Sequence, residues 1–124
     1  MTAMSLRGLR VLLVEDEMIV CMDLEDMLRD LGCIVVGPAA RVHQALSLID
    51  REPIDFAMLD INLGCETSYP LAERLATLGI PYFFSTGYAD IEPAFRDRPR
   101  LQKPFSEAQL SSLLIALRGA VHSP

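Results

Sequence analysis

The hydrophobic period of this chain switches repeatedly between two values, and that alternation restricts the folds open to it. Arg10–Val14 is a Val/Leu run too short for a helix. The segment after it places Val20, Leu24, Met27, Leu28 and Leu31 on one helical face, and Gly32 supplies a stop. Cys33–Val36 reads as a second strand ended by Gly37-Pro38. Val42, Ala45, Leu46 and Ile49 mark a second helix, with Pro53 just beyond it. Ile54–Leu59 is a third strand, apolar apart from Asp55. Leu71, Ala72, Leu75 and Leu78 mark a third helix, opened by Pro70 and closed by Gly79. Ile80–Ser85 is a fourth strand, and a short strand-like piece precedes Lys103. The last helix has a Ser106/Gln109 capping box and a Phe105/Leu110 staple. Leu110, Leu113, Leu114 and Leu117 form its stripe. The weakest segment is Ala89–Arg98, with Pro93 inside it and only Ile91 and Phe95 as large apolar residues. It is expected to be a short, poorly anchored helix or an irregular loop.

Strands that alternate with helices imply right-handed crossovers and a parallel sheet covered on both faces. Five such units predict an α/β, flavodoxin-like (βα)5 doubly wound sheet of strand order 2-1-3-4-5, in which the first and third strands are neighbours. Ligand sites in such sheets lie beyond the carboxyl ends of the strands. Glu15 and Asp16 follow the first strand, Asp60 the third, Thr86-Gly87 the fourth and Lys103 the fifth. Each signal alone is ordinary: a turn aspartate, a helix-leading acidic pair, a Ser-Thr-Gly turn. Their joint placement at one sheet edge is what carries the inference.

Crowded carboxylates repel and call for a compensating cation, and Mg²⁺ favours one or two carboxylates together with phosphate oxygens and water. Asp60 can also act as a carboxylate nucleophile. Lys103 offers a point charge for a phosphoryl group, Thr86 a hydroxyl, and Gly87 an unobstructed approach.

Composition excludes other readings. The chain has 124 residues, enough for one core, and 51% are hydrophobic, which argues against disorder. A net charge of −6 disfavours nucleic-acid binding through a broad basic face. No run approaches the roughly 20 apolar residues of a membrane span, and Met1–Leu9 lacks a signal-peptide pattern. Cys21, Cys33 and Cys65 are scattered and odd in number, which suggests reduced cytoplasmic thiols and neither a disulfide frame nor a zinc site. His43 and His122 have no ligand partners in the pattern, and Met18, Met22, Met27 and Met58 read as core or surface filling. Arg96, Arg98, Arg100 and Lys103 form a local basic stripe.

From about Leu9 to Leu117 the chain resembles a receiver domain of the two-component response-regulator family. The resemblance implies that Asp60 is the phosphoacceptor, Asp16 a direct Mg²⁺ ligand, and Glu15 a ligand through water. It further implies that Asn62 offers its backbone carbonyl, Thr86 is the switch hydroxyl and Lys103 the site lysine, with a cis Lys103-Pro104 bond. Mn²⁺ or Ca²⁺ could substitute for Mg²⁺. Where the family usually has Tyr or Phe, three residues before the lysine, this chain has Arg100, expected to point outward because an unpaired buried charge is costly. Pro81-Tyr82-Phe83-Phe84-Ser85-Thr86-Gly87 is similar to the Pro-Phe-x-Phe-Ala-Thr-Gly signature of the FATGUY receivers, and Glu66-Thr67-Ser68-Tyr69-Pro70 to their third loop. That subfamily typically lacks the aromatic.

The implied function is that of a single-domain response regulator, residues 1–124, with Ala120–Pro124 a tail. Its implied phosphodonor is a histidine kinase, of the HWE type on the FATGUY resemblance, or a histidine phosphotransfer protein. Nucleic acid and membrane are not expected partners. The competing readings are a phosphorylation-independent interaction module and an aspartyl-phosphate phosphatase. The second generally needs an acid where Asn62 stands.

Overall fold

Five parallel strands form the centre of the structure, a computed structural model that describes residues 6–87 and 91–122. In chain order the elements are β1 (Arg10–Val14), α1 (Met18–Asp30), β2 (Ile34–Ala39), α2 (Val42–Arg51), β3 (Phe56–Asp60), β4 (Asn62–Leu63), β5 (Glu66–Thr67), α3 (Tyr69–Leu78), β6 (Tyr82–Thr86), a 3₁₀ turn (Pro93–Phe95), β7 (Arg100–Gln102) and α4 (Glu107–His122). The sheet order is β2-β1-β3-β6-β7. With the small β4–β5 hairpin set aside, this is the expected 2-1-3-4-5 order.

Alternation along the strands explains the layers. Leu12, Val14, Ala57, Leu59 and Phe84 face one way, with Ala45 and Ile49 of α2 and Leu71, Ala72 and Leu75 of α3. Val11, Leu13, Phe56, Met58 and Phe83 face the other way, with Cys21, Leu24 and Leu28 of α1 and Leu110 and Leu114 of α4. The sheet is thus buried on both sides, which accounts for strands that read as continuous apolar runs. The Ser106/Gln109 box forms as expected, Gln109 N donating to Ser106 Oγ at 3.1 Å and Ser106 N to Gln109 Oε1 at 2.8 Å. Gly79 closes α3 in the left-handed region.

Several boundaries differ from the sequence reading for identifiable reasons. β2 does not end at Gly37-Pro38 but runs through it to Ala39 as a bulge, so that Leu12 pairs with Val36 and Val14 with Ala39. Gly37 has φ +97°, and a Cβ there would lie 3.0 Å from Ala39 N and 3.3 Å from Leu13 O. A side chain at this position would therefore collide with backbone. The bulge returns Ala39 O to accept from Glu15 N at 3.0 Å. The β4–β5 hairpin, too short for a periodic signal, was not anticipated. It is tied to α2, because Arg41 Nη1 donates to Leu63 O at 2.7 Å and Glu66 Oε2 accepts from Val42 N at 3.0 Å. Helix α4 continues through His122, so 120–122 are helical and only 123–124 of the expected tail lie outside the described residues.

The weak segment is better anchored than its composition suggests. Its residues 88–90 lie outside the described residues, but Ile91 is buried and Phe95 stacks on Tyr69 with centroids 4.6 Å apart. Tyr69 Oη also accepts from Glu92 N at 3.0 Å. Phe84 meets Tyr69, Tyr82 and Phe95 edge-on at 5.8, 5.6 and 5.9 Å. The 3₁₀ turn therefore hangs on an aromatic cluster drawn from α3 and β6. Phe84→Ala is expected to lower stability by about 3–5 kcal/mol in urea melts and to speed amide exchange at Glu92 and Phe95.

Candidate functional site

Register alone lines up the polar groups at the sheet edge. Val14 pairs with Leu59, so Glu15 follows beside Asp60; Asp60 in turn pairs with Ser85, and Ser85 with Leu101. Each of Glu15, Asp60 and Ser85 lies two residues beyond a side chain of the α1/α4 face, namely Leu13, Met58 and Phe83. The three therefore form one row on that face. Carboxylate oxygens of Glu15, Asp16 and Asp60 all lie within 4.8 Å of one another. Glu15 is buried, Asp60 half-buried and Asp16 exposed, so the cluster opens to solvent through Asp16.

Lys103 crosses this row. Its Nζ donates to Glu15 Oε1 at 2.7 Å and stands 3.7 Å from Asp60 Oδ1. The Glu15 side chain is fully buried, and its other oxygen accepts from Glu17 N at 3.2 Å. The Glu15–Lys103 pair was not foreseen from sequence: Glu15 read as a water-mediated metal ligand, and Lys103 as the site lysine facing a phosphoryl group and as one end of a basic stripe. Arg96, Arg98 and Arg100 are indeed exposed, Arg100 among them as expected, but Lys103 turns inward because a buried carboxylate needs a cation.

Asp60 feels the crowding most. Burial pushes its carboxyl up from 3.8 to about 7, Glu15 pushes in the same direction by charge and hydrogen bonding, Asp16 adds a little, and only Lys103 opposes. An aspartate that resists ionisation beside two other carboxylates can accept a cation. Three oxygen donors of this hardness fit Mg²⁺.

The remaining expected residues surround the row. Thr86 is the last residue of β6, buried, with its carbonyl accepting from Lys103 N at 2.7 Å. Asn62 opens β4 and pairs with Thr67. Lys103-Pro104 is cis, as is Gly37-Pro38. Among the described residues, a Cβ at Gly87 would meet nothing within 4 Å. Met18, Ile19 and Met22, at the start of α1 beside the acidic cluster, are 78%, 84% and 59% exposed.

A family model described as the response regulator receiver domain matches residues 11–114. The chain belongs to that family. Receiver domains are regulatory phosphoacceptors of two-component signalling, phosphorylated by histidine kinases, and not conventional enzymes. Among solved structures, this receiver is similar to SdrG from Sphingomonas melonis Fr1, with 42% identity and a TM-score of 0.80 over 93% of this chain and 99% of that one. It is also similar to the BeF3-activated conformation of SdrG from Pseudomonas melonis Fr1, with 43% identity and a TM-score of 0.76 over 94% of this chain and 98% of that one. The receiver domain of sensor histidine kinase PA1611 from Pseudomonas aeruginosa PAO1, with magnesium coordinated in its active-site cleft, is 26% identical, with a TM-score of 0.76 over 90% of this chain and 98% of that one. The transcriptional regulatory protein PdtaR of Mycobacterium tuberculosis is 31% identical over 118 residues, covering 90% of this chain and 56% of PdtaR. The chain thus spans about half the length of the curated relatives it matches. No described helix is long and apolar enough to cross a membrane.

The raised Asp60 carboxyl makes stability depend on pH. The folded state holds that proton more tightly than the unfolded chain does. Asp60's contribution is therefore complete below about 4 and is lost as pH rises to about 7. Metal-free protein is expected to lose stability across that window relative to Asp60→Asn. At pH 8 the variant is expected to be the more stable by on the order of 2 kcal/mol, read as the difference between urea melts at each pH.

Proposed function

We propose that this receiver takes a phosphoryl group from a phosphohistidine onto Asp60 in a Mg²⁺-dependent reaction and signals through the resulting change of shape. The observation that carries the reading is the row itself: a carboxylate flanked by two acidic partners and one ammonium. An Asp60 oxygen forms the new O–P bond as the N–P bond of the donor imidazole breaks. The imidazole leaves with the electron pair and takes a proton from solvent. Lys103 stands 3.7 Å from Asp60 and neutralises charge gathering on the phosphoryl oxygens, and Thr86 supplies a hydroxyl at the end of β6. Asp16, Asp60, Glu15 and the backbone carbonyl of Asn62 would hold the metal. When bound, Mg²⁺ supplies positive charge that lets Asp60 ionise and screens the incoming phosphate. Loss of phosphate to water returns the carboxylate.

The donor is a histidine kinase or a phosphotransfer protein, reached in the cytoplasm. The exposed Met18, Ile19 and Met22 give such a partner an apolar footing beside Asp60. The Pro81–Gly87 signature supports membership of the FATGUY receivers, and hence an HWE-type kinase. With Arg100 outward and no aromatic in its place, the element that responds to phosphorylation is proposed to be the described part of the segment, residues 91–98, held by Tyr69 and reshaped through Thr86.

Labelling with a radioactive phosphodonor and Mg²⁺ is expected to give one acid-stable, base-labile phosphate, absent from Asp60→Ala. Labelling of that variant at wild-type yield would overturn the assignment. Mg²⁺ is expected to raise the stability of the wild type by about 2.7 kcal/mol at one hundred times Kd, and to do much less for Asp16→Asn. Thermal melts over a Mg²⁺ titration check this.

A further inference from the structure

One member of the polar row has no assigned partner. Ser85 is 1% exposed, and its Oγ makes no hydrogen bond among the described residues. A hydroxyl withdrawn from water and left unbonded is costly, and an alanine would spare the protein that cost. Its place in the sheet indicates what it waits for. Ser85 lies between Asp60 on β3 and Leu101 on β7, on the same face as both. Lys103, just past β7, has its backbone N–H on Thr86 O at the end of β6, at 2.7 Å. Its Nζ bonds to Glu15, just past β1, and stands 3.7 Å from Asp60 Oδ1, so its side chain runs from the end of β6 toward β3, along the row that holds Ser85 and Asp60.

We propose that Ser85 is a positioning residue for Lys103 in the phosphorylated state. This rests on the reading of Asp60 as phosphoacceptor. A phosphoryl group on Asp60 carries more charge than the Glu15 carboxylate and draws the ammonium off Glu15, back by one strand. The ammonium has three N–H donors. With one or two on the phosphoryl oxygens, another turns to the Ser85 oxygen beneath it, which accepts. The hydroxyl that is unpartnered with Lys103 on Glu15 is then satisfied with Lys103 on phosphate, so Ser85 biases the cation toward the activated arrangement and costs the resting one.

Lys103 is the only lysine in the chain, so its side-chain ammonium can be followed by ¹⁵N NMR without ambiguity. The experiment titrates BeF3⁻ with Mg²⁺, as a phosphoryl mimic, into wild type, Ser85→Ala and the near-isosteric Ser85→Cys. In the wild type, BeF3⁻ is expected to shift the Lys103 Nζ signal and slow exchange of its protons. Both variants are expected to bind BeF3⁻ roughly tenfold more weakly and to lose that exchange protection. Without BeF3⁻ they are expected to be as stable as the wild type or more so. Equal BeF3⁻ affinity and an unchanged Lys103 signal in the variants would overturn the role of Ser85 alone. Variants less stable than wild type before BeF3⁻ is added would mean that the hydroxyl is already bonded, and would also overturn it. A wild type that binds no BeF3⁻ would remove the phosphoacceptor reading and this proposal with it.

Discussion

The ion pair between Lys103 and Glu15 is the contact on which the sheet edge depends. A carboxylate with a fully buried side chain beside a second, half-buried one would be untenable without a cation. The cation comes from the opposite side of the sheet, at 2.7 Å. The pair therefore spans from β1 to β7 and joins the first strand to the last across the two between. It leaves Asp60 incompletely compensated, since the ammonium sits 3.7 Å from it and closer to Glu15. The structure thus holds its charge balance on the carboxylate of the neighbouring strand, and Asp60 is left reluctant to ionise.

Much of this was legible in the residues. The apolar runs and the helical stripes located each central strand and helix, because a sheet buried on both faces leaves a continuous hydrophobic signal. Gly32, Gly79 and the Ser106/Gln109 box marked termini because backbone geometry demands those residue types there. The residues that meet at the sheet edge, Glu15, Asp16, Asp60, Thr86 and Lys103, were visible as polar groups closing apolar runs. Pairing between them was not. That Lys103 would choose Glu15 over Asp60 depends on burial and on reach across three strands, neither of which is written in local spacing. Ser85 passed for part of a turn motif, since an unbonded hydroxyl is a property of packing alone.

The other misses have the same origin. Tyr69 read only as part of a loop, the Glu66–Pro70 stretch, yet its ring and hydroxyl hold the segment containing Ile91 and Phe95. A sparse sequence was mistaken for weak anchorage because its partner lies more than twenty positions away. Gly37-Pro38 looked like a strand end and is a bulge inside one, where positive φ and close backbone are satisfied by glycine. The hairpin of β4 and β5 is two residues a side and is held by Arg41 and Val42, some twenty residues earlier in the chain, which donate to Leu63 O and Glu66 Oε2. Short elements fixed by long-range contacts leave no period to read.

The scarcity of amines in this protein has a chemical consequence. Every other basic side chain apart from two histidines is a guanidinium, and the one primary side-chain amine is the group bonded to Glu15. Acylating or crosslinking reagents aimed at lysine will find no second side-chain amine along the chain. Any such adduct neutralises the counter-ion of the carboxylate row. Immobilising or tagging the protein through lysine is therefore the same act as dismantling its site.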